Sequence, residues 1–138
     1  MLHGTLLHPD LLAGLARCGH GSRVLITDAN YPTVSATRES TAKIYLNLSP
    51  GVVSVPQVIS ALISVAPIEA AAVMTPDAGE LPSAALRYAE LLPDLELEKL
   101  SRDSFYQAAR GEDVALVVVT GDQELWANLL LTVGFIGA

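Results

Sequence analysis

Short apolar or alternating runs recur along this chain, and most are separated from the next by a stretch with helical spacing. That alternation constrains the fold more than any other feature. Arg23–Thr27, Lys43–Leu48, Ala70–Met74, Leu95–Leu100, Ala115–Thr120 and Asn128–Val133 read as strands. Between and before them, the spacing predicts helices. Pro9–Cys18 places Leu11, Leu12, Leu15 and Cys18 at helical intervals, with Pro9 suited to a first turn and Gly19 to a stop. A second helix opens at Ser54-Val55-Pro56 and aligns Val58, Ile59, Leu62 and Ile63 on one face. Leu81–Leu92 is a third, with Ser83, Arg87 and Glu90 outward. Ser101–Arg110 is a fourth, capped by Ser101 or Asp103 and stopped at Gly111. The polar stretch Thr33–Thr41 is expected to be irregular. Strands alternating with helices specify an α/β class: a single domain, residues 1–138, with a largely parallel sheet and helices on its faces.

Length and charge then exclude several functions. A chain of 138 residues suits one domain that buries roughly two-thirds of its unfolded surface. Apolar residues make up 51% of it, a surplus for so small a domain, which points to burial between subunits of a homo-oligomer. A net charge of −7 with no run of Lys and Arg argues against nucleic acid or an anionic membrane surface, since both demand a basic face. The apolar runs are too short to span a bilayer, and no basic segment precedes an apolar core at the N-terminus. Cys18 has no second cysteine to pair with, which fits a reducing, cytoplasmic setting and a packed thiol.

Candidate chemistry begins at Gly19-His20-Gly21-Ser22. A histidine between two glycines is accessible and suited to proton transfer at neutral pH. The same ring at a helix C-terminus can equally act as a cap, favoured by the macrodipole, and both readings stand at this point. Asp28 ends an apolar strand and opens Asp28-Ala29-Asn30-Tyr31-Pro32. Carboxylates at strand C-termini line the clefts of α/β sheets, yet an Asp there also bonds turn amides. His8 either lines a pocket or simply precedes the first helix. Ser22 lies in no Gly-x-Ser-x-Gly elbow. His3, His8 and His20 lack the i, i+4 pairing of a helical metal site, and no phosphate-cradling glycine loop occurs. The expectation is chemistry without metal or cofactor.

These residues, taken in order, resemble the ribose pyranase/fucose mutarotase family. Thr5–Pro9, Gly19-His20-Gly21 and Asp28-Ala29-Asn30-Tyr31-Pro32 are similar to its amino-terminal half. Arg102-Asp103-Ser104-Phe105-Tyr106 looks like the Arg-x-x-Phe-Tyr of the fucose branch. Trp126-Ala127-Asn128, the apolar strand after it and Val133-Gly134 resemble the family's ending. The resemblance implies His20 as the proton-transferring catalytic residue, with Asp28, Arg102, Trp126 and Asn128 as substrate-binding residues. It also implies rings of subunits, commonly stacked as decamers, with sites between neighbours. Two departures stand out: Ser22 where the family usually has Asp, and Trp126 where it has tyrosine. An indole stacks on a sugar's C–H face but offers one N–H and no hydroxyl, so any proton relay through that tyrosine is absent.

The implied activity is mutarotation of a monosaccharide, L-fucose or a relative, in the cytoplasm. Pyranose–furanose interconversion of D-ribose is the alternative within the enzyme class. A non-catalytic monosaccharide-binding protein and an oligomeric interaction protein are the alternatives outside it. Geometry adds one demand. An extended strand over Arg23–Thr27 holds residues 20 and 28 on the order of 20 Å apart, too far for one monosaccharide to bridge. Either the Gly21 turn folds His20 back, or the site combines two subunits; the second is the expectation.

Overall fold

The computed structural model describes residues 1–77 and 79–138. Among the described residues the order is α1 (Pro9–Ala16), β1 (Arg23–Thr27), β2 (Ala42–Tyr45), α2 (Val55–Ile63), β3 (Ile68–Met74), α3 (Ser83–Leu91), β4 (Leu97–Leu100), α4 (Arg102–Ala109), β5 (Val114–Val119) and β6 (Leu129–Val133). Local chemistry explains most of the helix ends. His8 caps α1, its Nδ1 accepting the Leu11 N–H at 3.3 Å, which settles the role left open for it. α1 ends at Ala16, before the expected Cys18, because Arg17 and Cys18 donate to the carbonyls three residues back in a tightened last turn. Ser54 and Gln57 form a reciprocal capping box on α2. Val55, Val58, Ile59 and Leu62 are the buried face of that helix, while Ile63, expected with them, is 37% exposed at its margin. Ser101, not Asp103, caps α4.

The strands form one sheet in the order β2-β5-β1-β6-β3-β4. The pairs β1·β5, β2·β5 and β3·β4 are parallel, whereas β6 runs antiparallel to both β1 and β3. The sheet is thus largely parallel, with one reversed strand inside it. β5 and β6 are not a hairpin, because β1 lies between them. Val24, Leu25 and Ile26 of this central strand are wholly buried, as expected when both faces are covered. Each such side chain contributes about 1.5–3 kcal/mol of burial.

α1, α2 and α3 cover one face, over Val24, Ile26, Val73, Leu116, Val118, Leu129 and Leu131. Leu25, Ala72, Met74, Val117, Val119 and Leu130 point to the other face, where Phe105 and Ala109 of α4 pack with Tyr31 and Ala36. Residues 33–41 are irregular as expected, but they are not a free surface loop. Thr33, Ala36 and Thr37 are buried, and Tyr31 donates its hydroxyl to the Ala36 carbonyl at 3.0 Å. Cys18 is half-buried, bonded to the Gly14 carbonyl, and burial raises its thiol pKa. Among the described residues no helix is long and apolar enough to cross a membrane.

Reversal of β6 has a direct consequence for function. The other strands end at one edge of the sheet, and β6 begins there. Asn128, just before β6, therefore meets Asp28, just after β1. At the opposite edge Val133 of β6 meets the turn before β1, which carries His20.

Candidate active site

The C-terminal edge holds an open pocket of about 260 Å³. Four of the expected site residues line it: Asp28, Arg102, Trp126 and Asn128. Asn30, Tyr31, Met74, Tyr106 and Leu125 complete the wall. Asp28 and Asn128 are its floor, each 4% exposed. The Asn128 Oδ1 accepts the Asp28 N–H at 2.9 Å, across 100 residues of sequence. The Asp28 carboxylate in turn accepts the Asn30 N–H at 2.9 Å. Burial raises the Asp28 pKa above the ordinary aspartate range. Backbone N–H groups of Asn30, Ala127 and Tyr31 and the Asn128 side chain act against that rise without cancelling it. Both readings of Asp28 made from sequence therefore hold: it bonds a turn amide and lines the cleft.

Trp126 is the wall's most constrained residue. Its φ is +62°, a left-handed conformation that costs a non-glycine residue about 1–3 kcal/mol unless its surroundings enforce it. Here they do. The buried Tyr88 of α3 donates its hydroxyl to the Ala127 carbonyl at 2.6 Å, between Trp126 and Asn128. Burial drives the Tyr88 pKa far up, so the hydroxyl stays a donor. Glu124 is ion-paired with Arg87 and accepts from Ser83 at 2.8 Å, both on α3. Asp122 accepts the Glu124 N–H at 3.0 Å and the Val55 N–H of α2 at 2.9 Å. Two helices thereby clamp residues 122–128 and aim the indole.

Arg102 opens α4, with its Cζ 4.9 Å from the Trp126 ring centroid. Stacking of this kind contributes about 0.5–2 kcal/mol and orients the guanidinium. Among the described residues no carboxylate forms an ion pair with Arg102, which leaves its N–H donors for a ligand. Tyr106 follows one helical turn later, a residue not chosen from sequence. It closes the Arg102–Tyr106 motif, at the i, i+4 spacing that puts it on the same helix face as Arg102. Its ring packs edge-on against Tyr31, 5.5 Å between centroids. The Tyr31 hydroxyl is committed to Ala36, so Tyr106 brings the other phenol to the pocket. Met74 and Leu125 had no sequence signal; only the end of β3 and the clamped loop place them there.

His20 does not join this group. It lies at the other edge of the sheet, beside a separate hollow that Cys18, Pro67, Val133 and Phe135 also line. Its Nε2 is 2.9 and 3.0 Å from the Glu69 carboxylate oxygens, and its ring is 5.1 Å from that of Phe135. Gly21 takes φ +84° and turns the chain directly after it. Ser22, the departure from the family pattern, accepts the Gly19 N–H at 3.1 Å and closes the same turn. The whole of β1 separates His20 from Asp28, as the extended-strand argument required.

The combined chemistry of the pocket is one carboxylate, one carboxamide, one guanidinium and an indole face. Such a set bonds several hydroxyls and stacks on an apolar ring face, the requirements of a carbohydrate. Among the described residues there is no cluster of His, Cys, Asp or Glu able to hold a metal ion.

Known proteins are similar to this chain in sequence and fold over nearly its whole length. The sequence signature of the RbsD / FucU transport protein family matches residues 1–136. The chain is 32% identical over 143 residues to the fucose mutarotase of Mus musculus, covering 94% of this chain and 90% of that protein. It is 32% identical over 134 residues to the D-ribose pyranase of Paracidovorax citrulli, covering 97% and 98%. The fold matches that of Bacillus subtilis RbsD complexed with D-ribose at a TM-score of 0.85, with 25% identity and 99% of both chains covered. The chain belongs to the RbsD / FucU family.

Proposed function

We propose that this chain is a cofactor-independent monosaccharide mutarotase, acting on L-fucose or a closely related sugar. The observation that carries the reading is the pocket itself: Asp28, Asn128 and Arg102 converge beside the Trp126 indole at one sheet edge. In this reading Asp28, Asn128 and Arg102 bond the sugar hydroxyls, and Trp126 stacks on the C–H face of the ring. Met74 and Leu125 add an apolar wall that suits the methyl group of a 6-deoxyhexose.

The acid/base is His20 of the partner subunit. Neutral imidazole takes the anomeric O–H proton as the bond from C1 to the ring oxygen breaks, and the imidazolium returns a proton to that oxygen. Rotation about C1–C2 and reclosure on the other face complete an isomerisation that needs no co-reactant. Proton transfer of this kind supplies about 10²–10⁴-fold, and fixed hydroxyl contacts add to it by holding the sugar. A ring-shaped homo-oligomer, a decamer in the family pattern, supplies the second copy. Exposed Val34, Leu48, Leu86, Leu125, Phe135 and Ile136 support assembly. We place the oligomer in the cytoplasm, in keeping with its lone cysteine.

Saturation-transfer NMR of anomer exchange tests the reading, with L-fucose and D-ribose run in parallel. Exchange above the buffer rate for L-fucose establishes the mutarotase. A larger acceleration of D-ribose ring interconversion selects the pyranase reading, which the 32% identity to a D-ribose pyranase keeps in play. Calorimetric sugar binding without any acceleration selects a non-catalytic binder, the outcome that Trp126 in place of tyrosine would explain. Neither binding nor exchange would sink the sugar reading altogether.

A further inference from the structure

We infer that Glu69 is a positioning residue that sets the tautomer and ring orientation of His20, an inference that rests on His20 being the acid/base of the proposed reaction. Nothing in the sequence distinguishes Glu69, which sits at the start of an alanine-rich strand. In the fold, the pairing of β3 with β6 slips by one residue between Ile68 and Ala70, so Glu69 is the bulged position. A bulge breaks the alternation of a strand and re-aims the side chain it carries. Exposure along β3 records the break: Glu69 and Ala70 are both exposed, although neighbours on a regular strand face opposite sides. The re-aimed carboxylate meets His20 Nε2 with both oxygens, at 3.0 and 2.9 Å.

Both partners are held from behind. Gly21 donates to the Val133 carbonyl at 2.9 Å and Val133 to the Ser22 carbonyl at 2.8 Å, which ties the His20 turn to the end of β6. The Phe135 ring leans on the imidazole at 60°. Gly134 leaves room for Glu69, since a Cβ there would stand 3.3 Å from the Glu69 Cβ. The side chains of His20 and Glu69 remain 56% and 40% exposed, so the pair adds little to stability. What it supplies is geometry.

The chemistry follows from donor counting. A carboxylate only accepts, so Nε2 carries the hydrogen, and Nδ1 of the neutral ring keeps the lone pair. Nδ1 is then the atom that takes the anomeric proton and later returns it. The Glu69 carboxylate faces the imidazolium formed in between, without touching the sugar.

The test combines ring-nitrogen NMR of ¹⁵N-histidine-labelled protein with saturation-transfer kinetics on L-fucose, for wild type, Glu69→Gln, Gly134→Ala and His20→Ala. The neutral wild-type ring is expected in the Nε2–H form alone, and Glu69→Gln to give a mixture of tautomers. Exchange at saturating sugar falls about tenfold or more in Glu69→Gln, with the half-saturating concentration within about twofold. Gly134→Ala, which crowds the Glu69 Cβ by a few tenths of an ångström and keeps the carboxylate, falls between. A wild-type ring in the Nδ1–H form, or full turnover in Glu69→Gln, overturns the inference. If His20→Ala abolishes exchange while Glu69→Gln keeps it, the positioning role fails and the reading of His20 stands. Exchange that survives His20→Ala overturns both.

Discussion

At the C-terminal edge of the sheet, Asp28 and Asn128 are each 4% exposed and bonded to one another. At the opposite edge, the side chains of His20 and Glu69 stay 56% and 40% exposed and bond only by side-chain groups. The first edge also concentrates the costs of function: a buried carboxylate with a raised pKa and a tryptophan at positive φ. Two helices over-determine it, as strained and desolvated sites require. The second edge carries no such burden, and the hollow beside His20 is lined largely by apolar groups. In the proposed function the sugar-binding groups are thus preorganised within one chain, while the proton-transfer group needs a second copy to enclose it. On that reading catalysis belongs to the interface between copies, and specificity to the single chain.

The largest expected effect breaks the comparison at its exposed side. His20→Ala lowers anomer exchange by about 10²–10⁴-fold, while calorimetry shows sugar affinity within about threefold of wild type. Co-assembly of His20→Ala with Asp28→Asn chains recovers part of the exchange, because some interfaces then join an intact His20 to an intact Asp28. Proven mixed oligomers with no recovery would mean that both residues serve one chain's site. Asp28→Asn alone weakens sugar binding by about 10–100-fold, the range for a hydrogen bond to a charged group.

The same substitution raises Tm at neutral pH. Burial lifts the Asp28 pKa in the folded state, so the folded chain prefers the protonated acid. The ionised form therefore costs stability, and that cost appears as pH rises through the unfolded carboxylate's range and is complete above the folded pKa. The Tm gain of Asp28→Asn is present at about pH 7 and gone at about pH 3; calorimetric scans at both values check it. A gain that persisted in acid would show that Asp28 is not the ionising group responsible.

Smaller effects sharpen the comparison at its buried side. Tyr88→Phe leaves the Ala127 carbonyl without its donor and costs about 1–3 kcal/mol, read as a Tm loss of roughly 3–10 °C. Released from the clamp, Trp126 and Asn128 bind sugar less well, whereas the NMR signals of His20 at the far edge do not move. Arg102→Lys is the mildest change. It keeps the charge but loses the planar stack on Trp126, which raises the half-saturating sugar concentration about 2–5-fold.

Much of this was legible residue by residue. Helical spacing and caps located the helices to within a few residues, because Pro9, Ser54 and Ser101 act on hydrogen bonds one turn away. Short apolar or alternating runs located the strands, since side chains along a strand alternate between its faces. Asp28 could be chosen from its position, and Arg102, Trp126 and Asn128 only from the family resemblance; the pocket contains all four. Tyr106 was legible as the last residue of the Arg102–Tyr106 motif, though the sequence assigned it no role. Met74, Leu125 and Glu69 were not available at all. Their roles depend on which strand lies beside which, and Glu69 on a one-residue slip in that pairing.

What the sequence alone determined was therefore the class of fold, the elements, a net charge that argues against nucleic acid, and the residue types proposed to hold a sugar and move its proton. Those properties are set by neighbours within a few positions or by composition. Only the tertiary structure decided that β6 runs backward between β1 and β3. That reversal brings Asn128 to Asp28 and leaves His20 at the far edge, beside Glu69. The reason is physical: strand direction and register are selected by the burial of two apolar faces at once, a sum over side chains a hundred residues apart that no local pattern encodes.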